Sequence, residues 1–257
     1  MRTGLGRIVR AVACTASVAT VVLCTARTAR AAPVVRDDVA RAVSRILEAT
    51  MDLYAVVQDG KYGFIDETGR IVVEPRFDEV GEFSEGLAPV RVGDKWGYVN
   101  STGTLVIEPQ FAVDGNTAYS CRFQEGLARI ESGGRCGFID KRGRFAIEPQ
   151  FDRADCFVGG LAIVHVDDKC GFIGKTGRFV IGARFDHAYR FPEGPHPQLA
   201  MVHIKGKYGF IDRTGKQVIK PVFDDVRPFK GRITAVRVED RWGWIDQTGR
   251  FVWEPSK

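Results

Sequence analysis

One hexapeptide recurs six times in this chain of 257 residues, and that repetition constrains the fold more than any other feature. The copies are Lys61-Tyr62-Gly63-Phe64-Ile65-Asp66, Lys95-Trp96-Gly97-Tyr98-Val99-Asn100, Arg135-Cys136-Gly137-Phe138-Ile139-Asp140, Lys169-Cys170-Gly171-Phe172-Ile173-Gly174, Lys207-Tyr208-Gly209-Phe210-Ile211-Asp212 and Arg241-Trp242-Gly243-Trp244-Ile245-Asp246. Their glycines are spaced by 34, 40, 34, 38 and 34 residues. Six positions after each comes a second glycine: Gly69, Gly103, Gly143, Gly177, Gly215 and Gly249. Twelve after comes Pro75, Pro109, Pro149, Pro221 or Pro255, with Ala183 in the fourth copy, and fourteen after comes Phe77, Phe111, Phe151, Phe185 or Phe223. A fixed period of this length marks a chain of small units, none of which can bury its apolar face alone, so that neighbours must stack.

One unit reads as strands. Leu87 to Val92 alternates apolar and polar residues as a half-buried strand does. Gly93-Asp94 is a turn, and Trp96 to Val99 is a second strand rich in aromatic and β-branched residues. Ser101-Thr102-Gly103 turns again, and Leu105 to Glu108 forms a third strand that Pro109, which lacks an N–H, is expected to stop. The linker from Phe77 to Gly86 has room for a short fourth strand.

With glycine, aromatic, second glycine, proline and phenylalanine all in register, residues 53–257 resemble the WG (KWG) repeat family. The resemblance implies an all-β fold of variable repeat number, and no particular chemistry, since most members have no assigned activity. The expectation is six tandem β-meander repeats of about 34 residues in an open superhelical array, with a closed six-bladed propeller-like ring as the alternative. Within the linker segment 32–52, residues 36–50 place Val39, Val43, Ile46 and Leu47 on one helical face, so a short N-terminal helix is expected to cap an exposed end.

The first 31 residues are of a different kind. They hold five arginines and no acid, with an apolar run from Ala11 to Thr25 and then Ala29-Arg30-Ala31. Basic, apolar and small residues in that order make a cleavable secretory signal peptide. The apolar run, about 15 residues, falls short of the roughly 20 that span a bilayer, so no stable membrane span is expected after cleavage. A lipid anchor on Cys24 fits less well, because Val21-Val22-Leu23 lacks the small residue expected just before it. Cleavage would bring 37 basic and 32 acidic residues to parity, which leaves no nucleic-acid footprint in the net charge. A secreted or periplasmic cell-envelope location follows as an expectation.

In an exported chain Cys121, Cys136, Cys156 and Cys170 suggest disulfides more than a metal site, since no CxxC pair occurs. Repeat arithmetic suggests Cys121–Cys136 with Cys156–Cys170, although such partners flank a strand nearly 20 Å long and a disulfide needs Cα atoms within about 7 Å. The alternative pairs Cys121–Cys156 and Cys136–Cys170.

The repeated aromatics could stack on sugar rings, or could form a repeating core contact in which glycine admits a neighbouring ring. Cys136 and Cys170, standing where others have an aromatic, favour the core. The residues kept as possible ligand contacts are Trp96, Trp242, Trp244 and His196, the last in the insertion Pro192 to Pro197. His165, His187 and His203 show no metal-ligand spacing. Glu74, Asp78, Glu108, Glu148, Asp152 and Asp224 recur in most copies, as turn-forming or solvated acids do and a single catalytic pair does not. No nucleophile elbow, P-loop or dinucleotide fingerprint is present. The expectation is a non-enzymatic binding or scaffold protein without cofactor, acting on a protein or a cell-wall glycan. A hydrolase of envelope polymers is the alternative.

Overall fold

The computed structural model describes residues 52–112, 122–194 and 199–255. The leader, the segment 36–50 expected to form a helix, Cys121 and His196 lie outside the described residues.

Every regular element among the described residues is a strand, and the strands form six small antiparallel sheets in chain order. Sheet 1 holds β1 (Tyr54–Gln58), β2 (Lys61–Ile65) and β3 (Ile71–Phe77); sheet 2 holds β4 (Glu79–Val80), β5 (Leu87–Val92), β6 (Lys95–Asn100) and β7 (Leu105–Ala112). Sheet 3 holds β8 (Phe123–Gln124), β9 (Leu127–Ser132), β10 (Arg135–Ile139) and β11 (Phe145–Phe151); sheet 4 holds β12 (Arg153–Ala154), β13 (Ala162–Val166), β14 (Lys169–Ile173) and β15 (Phe179–Phe185). Sheet 5 holds β16 (His187–Ala188), β17 (Ala200–Ile204), β18 (Lys207–Ile211) and β19 (Gln217–Phe223); sheet 6 holds β20 (Asp225–Val226), β21 (Ile233–Val238), β22 (Arg241–Asp246) and β23 (Phe251–Trp253). The linker therefore does supply a two-residue fourth strand in sheets 2 to 6.

The expected stop at proline is wrong. Strand β7 runs through Pro109 to Ala112. Trp96 pairs with Phe111 and Tyr98 with Ile107, so two residues of β6 span four steps of β7 and residues 108–110 bulge out of the ladder. Proline is tolerated there because a bulged residue owes no N–H to the neighbouring strand. The same register shift recurs around Glu74-Pro75, Glu148-Pro149, Gly182-Ala183 and Lys220-Pro221.

The bulge explains the first glycine of each copy. A β-carbon on Gly137 would stand 2.7 Å from both the carbonyl oxygen of Ile147 and the nitrogen of Pro149. The glycine thus admits the backbone of the third strand, not a neighbouring ring as the sequence reading had it.

The core is divided among the gaps between successive sheets. One cluster joins Phe64, Val73 and Phe77 of sheet 1 to Ala88, Val90 and Val99 of sheet 2. Another joins Cys136, Phe138, Ile147 and Phe151 of sheet 3 to Ala154, Phe157, Ala162, Val164 and Ile173 at sheet 4. Each sheet therefore presents a forward face to the next sheet and a backward face to the previous one. Across each gap the residue after the first glycine meets a linker phenylalanine: Phe64–Phe83, Tyr98–Phe123, Phe138–Phe157, Phe172–Phe191 and Phe210–Phe229, with ring centroids 4.8 to 5.2 Å apart. The second glycine seals the same gap. Gly143 turns with φ 77, and a β-carbon on it would lie 2.8 Å from Ile107 of the previous sheet.

Polar ties cross the gaps as well. Asp78 pairs with Lys61 of sheet 1 (2.5 Å) and accepts from the Gly93 N–H of sheet 2 (2.7 Å). Asp152, Asp186 and Asp224 repeat the arrangement with Arg135, Lys169 and Lys207 and with the N–H groups of Asp167, Lys205 and Glu239. Ala112 takes that position between sheets 2 and 3. Exposed pairs of this kind contribute roughly 0–1 kcal/mol each, so the apolar gaps carry most of the stability.

Candidate functional site

The two ends of the stack depart from the pattern. On backward faces, the residue opposite the last apolar position of the second strand is Ala88, Ala128, Ala162, Ala200 or Thr234, all buried. In sheet 1 that residue is Tyr54, 52% exposed. On forward faces, the residue opposite the ring after the first glycine is Val73, Ile107, Ile147, Ile181 or Ile219, all buried. In sheet 6 it is Trp253, also 52% exposed, opposite Trp244 at 37%.

Three of the four tryptophans of the chain, Trp242, Trp244 and Trp253, therefore stand on the forward face of sheet 6. Local structure puts cations beside them. After β20, Arg227 donates its N–H to the carbonyl of Ala235 (2.9 Å), and its own carbonyl accepts from the Thr234 hydroxyl (2.5 Å). So anchored, the Arg227 guanidinium lies over the Trp242 ring, 5.3 Å from its centroid. Arg227, Pro228, Lys230, Ala235 and Trp244 line a hollow of about 390 Å³. A hollow of about 590 Å³ lies beside sheets 1 and 2, lined by Leu53, Tyr54, Phe64, Val80 and Phe83 among others.

The ligand-facing residues expected from sequence are brought together only in part. Trp96 is buried, 3% exposed, because sheet 3 covers the forward face on which it stands, so it cannot meet a ligand. Trp242 and Trp244 share the open face, and His196 lies outside the described residues. Sequence reasoning missed Trp253, Arg227 and Lys230. The signal for Trp253 was its place in the repeat, where five other copies have valine or isoleucine.

Elsewhere polar side chains brace the turns. In the turns after the hexapeptide the carboxylate of Asp66 accepts from the N–H groups of Thr68 and Arg70 and from the Thr68 hydroxyl, which holds it below the ordinary carboxylate range. Asn100, Asp140, Asp212 and Asp246 make the same turn. His165 is pushed below its ordinary 6.5 by burial and then by Arg153. Among the described residues no group of three or more His, Cys, Asp and Glu side chains converges as a metal site would.

Cys136, Cys156 and Cys170 are free thiols. Each pairing expected from the sequence required a bond between two of these three, and neither bond is made. Cys136 and Cys170 stand at equivalent places in successive sheets, which pack about 10 Å apart, beyond the reach of a disulfide. For Cys156 and Cys170 the objection of the intervening strand holds.

A tandem stack of small antiparallel sheets with a repeated glycine at a backbone crossing defines a β-repeat protein. The profile of the WG containing repeat matches residues 62–96, 96–112, 137–170, 171–208 and 208–242, and the chain belongs to that family. No curated protein matches it in sequence. Among solved structures it is similar to Hsv2 of Kluyveromyces lactis, at 11% identity and a TM-score of 0.43, over 76% of this chain and 71% of that one. It is also similar to the extracellular domain of the two component system protein BT4673 from B. thetaiotaomicron, at 13% identity and a TM-score of 0.35, over 82% and 38%. Among the described residues no helix is long and apolar enough to cross a membrane.

Proposed function

We propose that the chain is an exported, non-enzymatic binding module that works as an open array of sheets on a protein or a cell-envelope glycan. The observation that carries this reading is the uncovered aromatic face of sheet 6. A further repeat would have to seat the glycine of its turn on Trp253, whereas the existing turns seat theirs on valine or isoleucine at the distance of a single methyl group. At the other end, Tyr54 fills the space that Ala88 and its equivalents leave for a preceding ring. Neither end is shaped for the standard contact, which supports an open array over a ring in which sheets 1 and 6 meet. An exposed apolar patch rimmed by polar groups is the usual mark of an interaction surface. The recurrent aspartates, which a hydrolase would need as acids, are engaged in turns and in ties between sheets. Export rests on the sequence of residues 1–31 alone.

The test is co-sedimentation of residues 32–257 with insoluble cell-wall polymer, together with cross-linking in the exported fraction. Retention that soluble wall fragments compete away, or one reproducible cross-linked protein, is the expected result. A chain that stays in the supernatant and cross-links to nothing overturns the reading.

A further inference from the structure

Sheet 6 offers more than an unpartnered apolar face. Trp244 and Trp253 differ from the residues at the same places in sheets 1 to 5, which are phenylalanine or tyrosine and valine or isoleucine, so they are not left over from the stacking pattern. Trp244 and Trp253 are directly opposite across two antiparallel strands, where Cβ atoms lie about 4.5–5.5 Å apart, and both indoles reach solvent. Beside Trp244 the hollow is lined by two cations, Arg227 and Lys230, by two apolar residues, Pro228 and Ala235, and, among the described residues, by no carboxylate. Its volume of about 390 Å³ falls in the range of small-ligand sites, about 300–1,000 Å³, and is not that of a broad protein interface.

We infer that this face binds an acidic glycan, with sugar rings lying on Trp244 and Trp253 and ring carboxylates meeting Arg227 and Lys230. The inference rests on the binding-module reading above and names its ligand. The weakly polar C–H face of a pyranose matches the apolar body of an indole, while the indole N–H remains free to donate at its edge. A neutral sugar would use the rings and leave both cations unpaired. An acidic peptide would satisfy the cations but would bring no pyranose face to lie on the two indoles. Arg227 is already poised by its stacking on Trp242, so it loses less freedom on binding than a free side chain would.

The experiment is isothermal titration of residues 32–257 with a galacturonate oligomer, run beside a neutral glucose oligomer of the same length and poly-glutamate. The expected result is that the galacturonate oligomer binds about tenfold more tightly than the neutral one, and that added salt removes the difference. The double variant Trp244→Ala/Trp253→Ala should lose binding with its thermal midpoint little changed, since both rings are exposed. Arg227→Gln/Lys230→Gln should bind the two sugars alike. Undiminished galacturonate binding by the tryptophan variant, or poly-glutamate that binds as tightly as the sugar acid, overturns the inference. Wall co-sedimentation of the tryptophan variant separates the two failures: retention equal to the unaltered chain leaves the binding module standing without this site. If the unaltered chain binds neither oligomer and is not retained, both readings fall.

Discussion

The α-carbon of Gly209 stands so close to Ile219 that a β-carbon on it would lie 2.6 Å from the Ile219 carbonyl oxygen. The neighbour is backbone within a paired strand, which cannot swing aside. Gly209→Ala should therefore cost about 1–3 kcal/mol through overpacking, read as a lower urea midpoint. Gly182→Ala is the control, because a β-carbon there meets nothing within 4 Å, and it should change stability by no more than about 0.5 kcal/mol. Equal losses in both variants would contradict the crossing.

Phe138 and Trp244 occupy the same place in sheets 3 and 6, and their surroundings differ. Phe138 is fully buried against Phe157, at 4.8 Å between centroids. Phe138→Ala should cost about 3–5 kcal/mol, and Trp244→Ala a small fraction of that. Comparable shifts in thermal midpoint would mean that Trp244 is covered.

These positions also show how far the sequence reaches. The period, the meander and the Gly93-Asp94 turn follow from local pattern, and the structure contains all of them. The purpose of the hexapeptide glycine does not, because the bulge at Glu-Pro exists only once two strands pair. Trp96 and Trp242 hold the same place in the repeat, yet Trp96 is buried and Trp242 only half-buried. Whether each is buried is decided by the presence of a following sheet, which no local window records. The expected Cys136–Cys170 bond is not made for a similar reason: equivalence in the repeat places the two residues a full sheet spacing apart.

Asp186 links pH to stability. The ammonium of Lys169, and then the N–H of Lys205, hold its carboxyl below the ordinary 3.8. A carboxylate lowered in the folded state contributes stability above its unfolded value and loses it as pH falls through the folded one. Asp186→Asn should lower the denaturation midpoint at pH 7, and the gap to the unaltered chain should narrow as pH falls below 3.8 and close once it passes below the lowered folded value. A gap that is the same at pH 7 and about pH 2 would show that the charge is not what ties sheets 4 and 5.

Cys170 is buried, and that burial pushes its thiol up to about 11. On the order of one molecule in a thousand then carries the thiolate at pH 8, and the side chain is covered as well. Alkylation at pH 8 should spare Cys170 in the native protein and modify it promptly in denaturant. Rapid native labelling would place that residue at the surface.

The claim on which the account turns is that forward faces are closed in sheets 1 to 5 and open in sheet 6. Hydroxyl-radical footprinting with mass spectrometry reads this residue by residue in a dilute, monomeric solution. The account predicts heavy oxidation of Trp244 and Trp253 beside protection of Trp96. Protection of Trp244 and Trp253 equal to that of Trp96 would mean that the face is covered, and would contradict both the open array and the site built on it.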